Sequence, residues 1–166
     1  MRIIIYAALI TALPTILHAQ ILNGDDRFPL FHQIRWDMNK ERVLHVCAAN
    51  NVNAIETDTT VTFDMRVFDV EAKAFVRFKD KTEKPWVIEV KFKELTEKLV
   101  DTLVNHFTRT TGESPLRAAK EKSLILITMR MELVAWKTKM DKIRLIIGRR
   151  GDSIFAINLS LGPALR

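Results

Sequence analysis

The sequence predicts an α+β domain: an antiparallel sheet of about six strands with two helices packed on one face. Three observations carry this expectation. Apolar residues recur at helical spacing in two segments and alternate with polar residues in several others. The alternating runs are joined by short connections, which suit antiparallel neighbours rather than parallel crossovers. The element order, a helix and then three strands, occurs twice, over 36–93 and 94–162. A duplicated unit would give that order, although residue identities do not repeat between the halves.

Residues 1–19 read as a cleavable signal peptide: a charge at Arg2, an apolar run over 3–16, and the small residue Ala19 closing a short polar stretch. A helix over that run is about 21 Å long, short of the roughly 30 Å of a bilayer core, and Pro14 would interrupt it. No transmembrane anchor is expected after cleavage. Residues 20–166 are then one domain, beginning at Gln20, with a periplasmic or secreted location. The only cysteine, Cys47, forms no internal disulfide, so stability has to come from apolar burial.

In the first half, 20–35 shows no period and reads as a loop or short edge segment. Asn39 is a good N-cap with Glu41 in the first turn, and Val43, Val46, Cys47 and Asn50 follow along one helix face. After a polar connector over 51–59, three runs alternate: Val61, Phe63, Met65 and Val67; Ala72, Ala74, Val76 and Phe78; then Trp86, Ile88, Val90 and Phe92. Each is expected to bury those residues and to wet the intervening ones.

The second half repeats the plan. Thr96 caps a helix with a stripe of Leu99, Val100, Leu103, Val104 and Phe107, which Gly112 ends and Pro115 keeps from resuming. A charged connector over 113–122 leads to one long strand over 124–136. Ile143, Leu145 and Ile147 mark a fifth strand, 148–152 turns the chain, and 154–161 is the sixth.

The chain carries 26 Lys plus Arg against 20 Asp plus Glu; losing Arg2 with the signal leaves 25 against 20, a net charge of +5. That balance favours anionic partners, but the signs alternate and long basic clusters are missing, so with export no nucleic-acid partner is expected. The candidate binding surface is a basic sheet face with apolar interleaving: Lys73, Phe75, Arg77, Lys79, Lys91 and Lys93. A protein or an anionic envelope polymer would suit it. Lysines on such a face also discourage edge-to-edge pairing.

Nothing in the sequence specifies catalysis, a metal or a cofactor. His45 and Cys47, two apart on a helix, point about 200° apart and cannot share one ion. His106 beside Phe107 reads as a surface or boundary residue. A hydrolase assembled from distant residues would need His106 beside a carboxylate in a pocket. Arg150-Gly151-Asp152 is explained by a charged hairpin tip, and the sequon Asn158-Leu159-Ser160 lies inside an expected strand, where bacterial export would make it irrelevant.

Trp36-Asp37-Met38-Asn39-Lys40-Glu41-Arg42-Val43 resembles the W-G-M-S/T-K-E-E-V opening helix of small exported bacterial proteins, with Asp37 in place of the usual glycine. Thr111-Gly112-Glu113-Ser114-Pro115 is similar to their helix stop, with Thr111 for the usual aromatic residue. The element order resembles the small lipoprotein of the outer-membrane barrel assembly machinery and, in duplicated form, the β-lactamase inhibitor proteins. These resemblances imply an interaction module. A rival likeness, of 142–146 and 154–162 to the closing strands of guanyl-specific ribonucleases and effectors derived from them, places Ser160 where the catalytic histidine stands. It implies an inactive, binding relative.

Overall fold

The computed structural model describes residues 27–28, 30–31, 33–79, 84–124, 127–137 and 141–163. The expected signal segment, His32, Ile125 and Leu126 lie outside these residues. Helix α1 (Lys40–Ala49) starts where the Asn39 side chain accepts the Arg42 amide at 3.1 Å, and it buries Val43 and Cys47. Strands β1 (Ala54–Glu56), β2 (Thr60–Val67), β3 (Val70–Phe78) and β4 (Pro85–Phe92) follow. Helix α2 (Glu97–Thr111) is capped by the Thr96 hydroxyl, which accepts the Leu99 amide at 3.2 Å. It ends at Gly112, whose φ of 68° is left-handed backbone that glycine adopts without a Cβ clash. Strands β5 (Leu116–Leu124), β6 (Ile127–Lys137), β7 (Asp141–Arg150) and β8 (Ser153–Pro163) complete the chain.

The fold is α+β, but the sheet has eight strands where six were expected, in the order β1-β2-β3-β4-β8-β7-β6-β5. Each half is therefore a helix plus four strands, not three. The sheet order is palindromic, and the last strands of the two halves meet through an antiparallel ladder, Ile88↔Leu161 to Lys91↔Asn158. The extra strands hide for physical reasons. β1 has only three residues, and β5 is an edge strand whose described side chains are all exposed, so neither has an alternating burial pattern to read. The long strand expected over 124–136 is in fact the end of β5 and most of β6, paired through Leu124↔Ile127. β7 continues through Gly148 to Arg150, which shortens the expected 148–152 turn to Gly151 and Asp152.

One face of the sheet holds the core. Val61, Phe63, Val76, Ile88, Val90, Leu145, Ile147, Leu159 and Leu161 are essentially inaccessible there, together with Val43 and Cys47 of α1 and Leu103 and Phe107 of α2. The alternation of the sequence placed these side chains correctly, but it failed at the start of β4, where Val87, expected wet, is 8% exposed. Trp86 was expected inside, yet it is 52% exposed. The ladder slips between Arg77 and Phe78, with Arg77↔Val87 and Phe78↔Pro85, so Trp86 is the extra residue of a bulge and Pro85 takes the inward place.

In the segment expected as a loop or edge, 20–35, the described residues turn back and bury apolar side chains in the core. Phe28, Phe31 and Ile34 are fully buried, and the backbone turns through Phe31 N–H to Phe28 O and Ile34 N–H to Leu30 O bonds. Phe28 packs on Phe31, Phe107 and the edge of Phe68, at centroid distances of 5.7, 5.7 and 5.9 Å. The two described helices do not span all eight strands, and these aromatic side chains extend the cover of that face.

Candidate cationic site on the open sheet face

Among the described residues no helix lies on the other face of the sheet. Alternation sends Thr62, Asp64, Lys73, Phe75, Arg77, Glu89 and Lys91 to it from the first half, and the ladder continues it across Ser160, Asn158, Arg144 and Ile146. Four of the expected binding residues, Lys73, Phe75, Arg77 and Lys91, thus share one surface. Lys91 lies over the Phe75 ring at 5.0 Å, an arrangement that holds the ammonium against an aromatic face.

Much of that basic charge is already met. Lys73 stands 3.7 Å from Asp64, and Arg77 donates from both Nε and Nη2 to one oxygen of Glu89, at 3.1 and 2.9 Å. Lys93 lies just past β4 and is bound to Glu71 at 2.6 Å. That hydrogen bond holds the Glu71 carboxyl below, and the Lys93 ammonium above, their ordinary pKa values. Lys93 is also at the far end of the strands from Arg77, roughly 20 Å away at strand rise, so it does not join the group.

A different cluster forms at the end where Arg77 lies. The ladder between β4 and β8 stops at Ile88↔Leu161. Where the two strands part, a cavity of about 680 Å³ opens on the free face. Four cationic side chains line it, Arg77 and Lys79 from the first half and Lys142 and Arg144 from the second. Thr59, Thr60 and Ser160 add hydroxyls, and Phe78, Trp86 and Val87 supply apolar wall. Among the described residues no carboxylate, histidine or cysteine is part of the lining. Lys142 and Arg144 have no carboxylate within salt-bridge distance among the described residues.

Lys142, Arg144, Ser160 and Trp86 were missed as site residues. Strand alternation did place Arg144 and Ser160 on a wet face. What it could not supply was the neighbour relation, because β8 pairs with β4 across some seventy residues of chain. Trp86 was hidden by its bulge.

His106 is buried, against expectation. Arg27 donates from Nη1 to its Nδ1 at 2.8 Å, so a neutral ring carries its proton on Nε2. Phe68 and Phe107 stand edge-on to the imidazole at 5.0 and 5.1 Å. His106 does not line the cavity. His45 is exposed while Cys47 is fully buried, and burial pushes the thiol up to about 11. Among the described residues no three His, Cys, Asp or Glu are grouped to hold a metal ion, and no helix is long and apolar enough to cross a membrane.

The chain matches no protein-family model, no curated protein and no solved structure. Fold and site geometry therefore carry the functional argument.

Proposed function

We propose that this protein is a non-catalytic binding module, exported from the cytoplasm, that engages a negatively charged partner through the open face of its sheet. The observation that carries this reading is the cavity at the seam of the two halves, where four cationic side chains converge and, among the described residues, no acid, imidazole or thiol lines the wall. The hydroxyls of Thr59, Thr60 and Ser160 are weak nucleophiles without an adjacent base, and the described lining gives them no carboxylate or imidazole to activate them. Long-range attraction of an anion needs only the cations. The sealed position of His106 is a second support, since its Nδ1 is occupied by Arg27 and its ring is packed among phenylalanines. The location rests on the signal-like segment 1–19.

The reading is tested with polyglutamate as a defined acidic polymer. The protein is expected to be retained at low ionic strength and released as salt rises. A combined Lys73→Glu, Arg77→Glu and Lys91→Glu variant should elute at clearly lower salt. Equal retention of both forms overturns the reading. Export is tested by fusing 1–19 to a periplasmic reporter and sequencing the mature N-terminus, which should begin at the residue equivalent to Gln20.

A further inference from the structure

The geometry points to a ligand class for the cavity: we propose that it binds an anionic saccharide, a sugar ring carrying a carboxylate, sulfate or phosphate group. The inference rests on the binding-module reading above and narrows its partner. Three features of the cavity fit such a ligand together.

The first is its chemistry. Lys142 and Arg144 stand on β7 without a carboxylate partner among the described residues, on the same face as Ser160, which is directly opposite Arg144 in the ladder. A guanidinium presents a planar fork that matches an oxyanion, and a hydroxyl can both donate to and accept from a sugar hydroxyl. Thr59 and Thr60 supply more of the same on the opposite side.

The second is Trp86. Extruded by the bulge and half exposed, it lines the cavity with an indole beside the cations. An exposed indole gives an apolar, electron-rich face on which the C–H face of a pyranose ring can lie, whereas a free phosphate has no use for it. Burying a tryptophan elsewhere in this chain is easy: Trp36 and Trp136 are 9% and 3% exposed.

The third is backbone. A peptide partner that adds a strand needs a row of unpaired amides. The sheet offers such a row at its outer strands, β1 and β5; where β4 and β8 part, only 85–87 and 162–163 run past the shared ladder, and Pro85 and Pro163 carry no amide hydrogen, so the row is too short for an added strand. Recognition here falls to side chains: cations, hydroxyls and an aromatic wall. The volume, about 680 Å³, is that of a pocket for a small ligand or for one or two residues of a longer chain.

Trp86 also gives the readout, because of three tryptophans it alone is substantially exposed. Its fluorescence is quenched with neutral acrylamide in the presence of a galacturonate oligosaccharide, a sulfated disaccharide, a neutral maltooligosaccharide, or inorganic phosphate. Either acidic sugar is expected to protect Trp86 from quenching, and the stronger of the two identifies the preferred oxyanion. Arg144→Glu should weaken that binding by about tenfold or more, the usual worth of a charge-assisted hydrogen bond. Arg42→Glu, which makes the same charge change on α1, away from the cavity, should leave it unchanged. Titration calorimetry with the galacturonate oligosaccharide on Trp86→Phe, whose ring is smaller, should show a several-fold loss, and thermal melts confirm that each variant is folded. Equal protection by the neutral sugar, equal protection by phosphate, or full binding by Arg144→Glu overturns the proposal. If neither acidic sugar protects while polyglutamate retention still depends on Lys73, Arg77 and Lys91, the saccharide assignment falls and the broader reading stands.

Discussion

The ring of Phe68 stands edge-on to the imidazole of His106, 5.0 Å between centroids, and so ties the tip of the β2–β3 hairpin to helix α2. Phe68 and Asp69 are the two residues of that turn, with φ of 52° and 63°, the left-handed pair of a type I′ hairpin. Phenylalanine is a poor choice for that backbone, at a cost of about 1–2 kcal/mol. Contacts with Phe28 and His106, and the Arg27 guanidinium 5.7 Å from its ring, offset the strain. Phe68→Ala keeps the strain and loses the ring, so it should destabilise by roughly 2 kcal/mol. Phe68→Gly loses the ring but relieves the backbone and should be about 1 kcal/mol less harmful than Phe68→Ala. Urea unfolding of the two variants measures the difference; equal loss would mean the turn is unstrained.

Phe28 tests whether the segment before α1 belongs to the core. It is fully buried against Phe31, Phe68 and Phe107. Phe28→Ala should cost about 3–5 kcal/mol, the range for a large aromatic removed from a packed site. A loss below 1 kcal/mol in chemical denaturation would show that the segment is dispensable.

Arg149 on β7 binds Glu97 in the first turn of α2 with both terminal nitrogens, the second of them at 2.9 Å from Oε2, and reaches Glu132 at 3.1 Å through Nε. The hydrogen bond from Arg149 lowers the Glu97 pKa from its ordinary 4.5. A lowered carboxylate stabilises the fold above its unfolded pKa and loses that contribution as pH falls through the folded value. Glu97→Gln should therefore reduce stability at pH 7 and narrow the gap to wild type below about pH 4. Glu97 is largely exposed, so the loss at neutral pH is set at about 1 kcal/mol or less. A gap that stays constant down to pH 2 contradicts the pairing.

Cys47 gives a prediction in the alkaline range. Burial raises its thiol from 9.0 to about 11. A raised folded pKa means that the contribution is complete below pH 9 and is lost as pH climbs toward about 11, because the unfolded chain ionises first. Cys47→Ala should remove this part of the alkaline stability loss, at the cost of a small cavity. In native protein at pH 8 the thiol should react with a disulfide reagent only at the rate of unfolding. Rapid labelling of the folded protein would refute its burial.

Much of the candidate site was written in the sequence as half-information. Alternation correctly sent Lys73, Phe75, Arg77 and Lys91 to one face, because side chains in a strand change sides at every residue whatever the partner strand. It could not say that Asp64 and Glu89 would meet two of those cations, nor that the surplus charge lies with Lys142 and Arg144. Those facts depend on register and on which strands are neighbours, and neither leaves a local mark.

The sequence by itself determined the helix starts at Asn39 and Thr96, the stop at Gly112, and most of the buried side of β2, β3, β7 and β8. Capping groups, positive φ and period-two burial act within a few residues, so the local chain decides them. Only the tertiary structure decided that there are eight strands, that Trp86 is extruded, that Phe28 and His106 are core, and that a cavity opens where β4 and β8 part. Each of these turns on contacts between residues far apart in the chain, where packing of one half against the other overrides what either segment prefers alone.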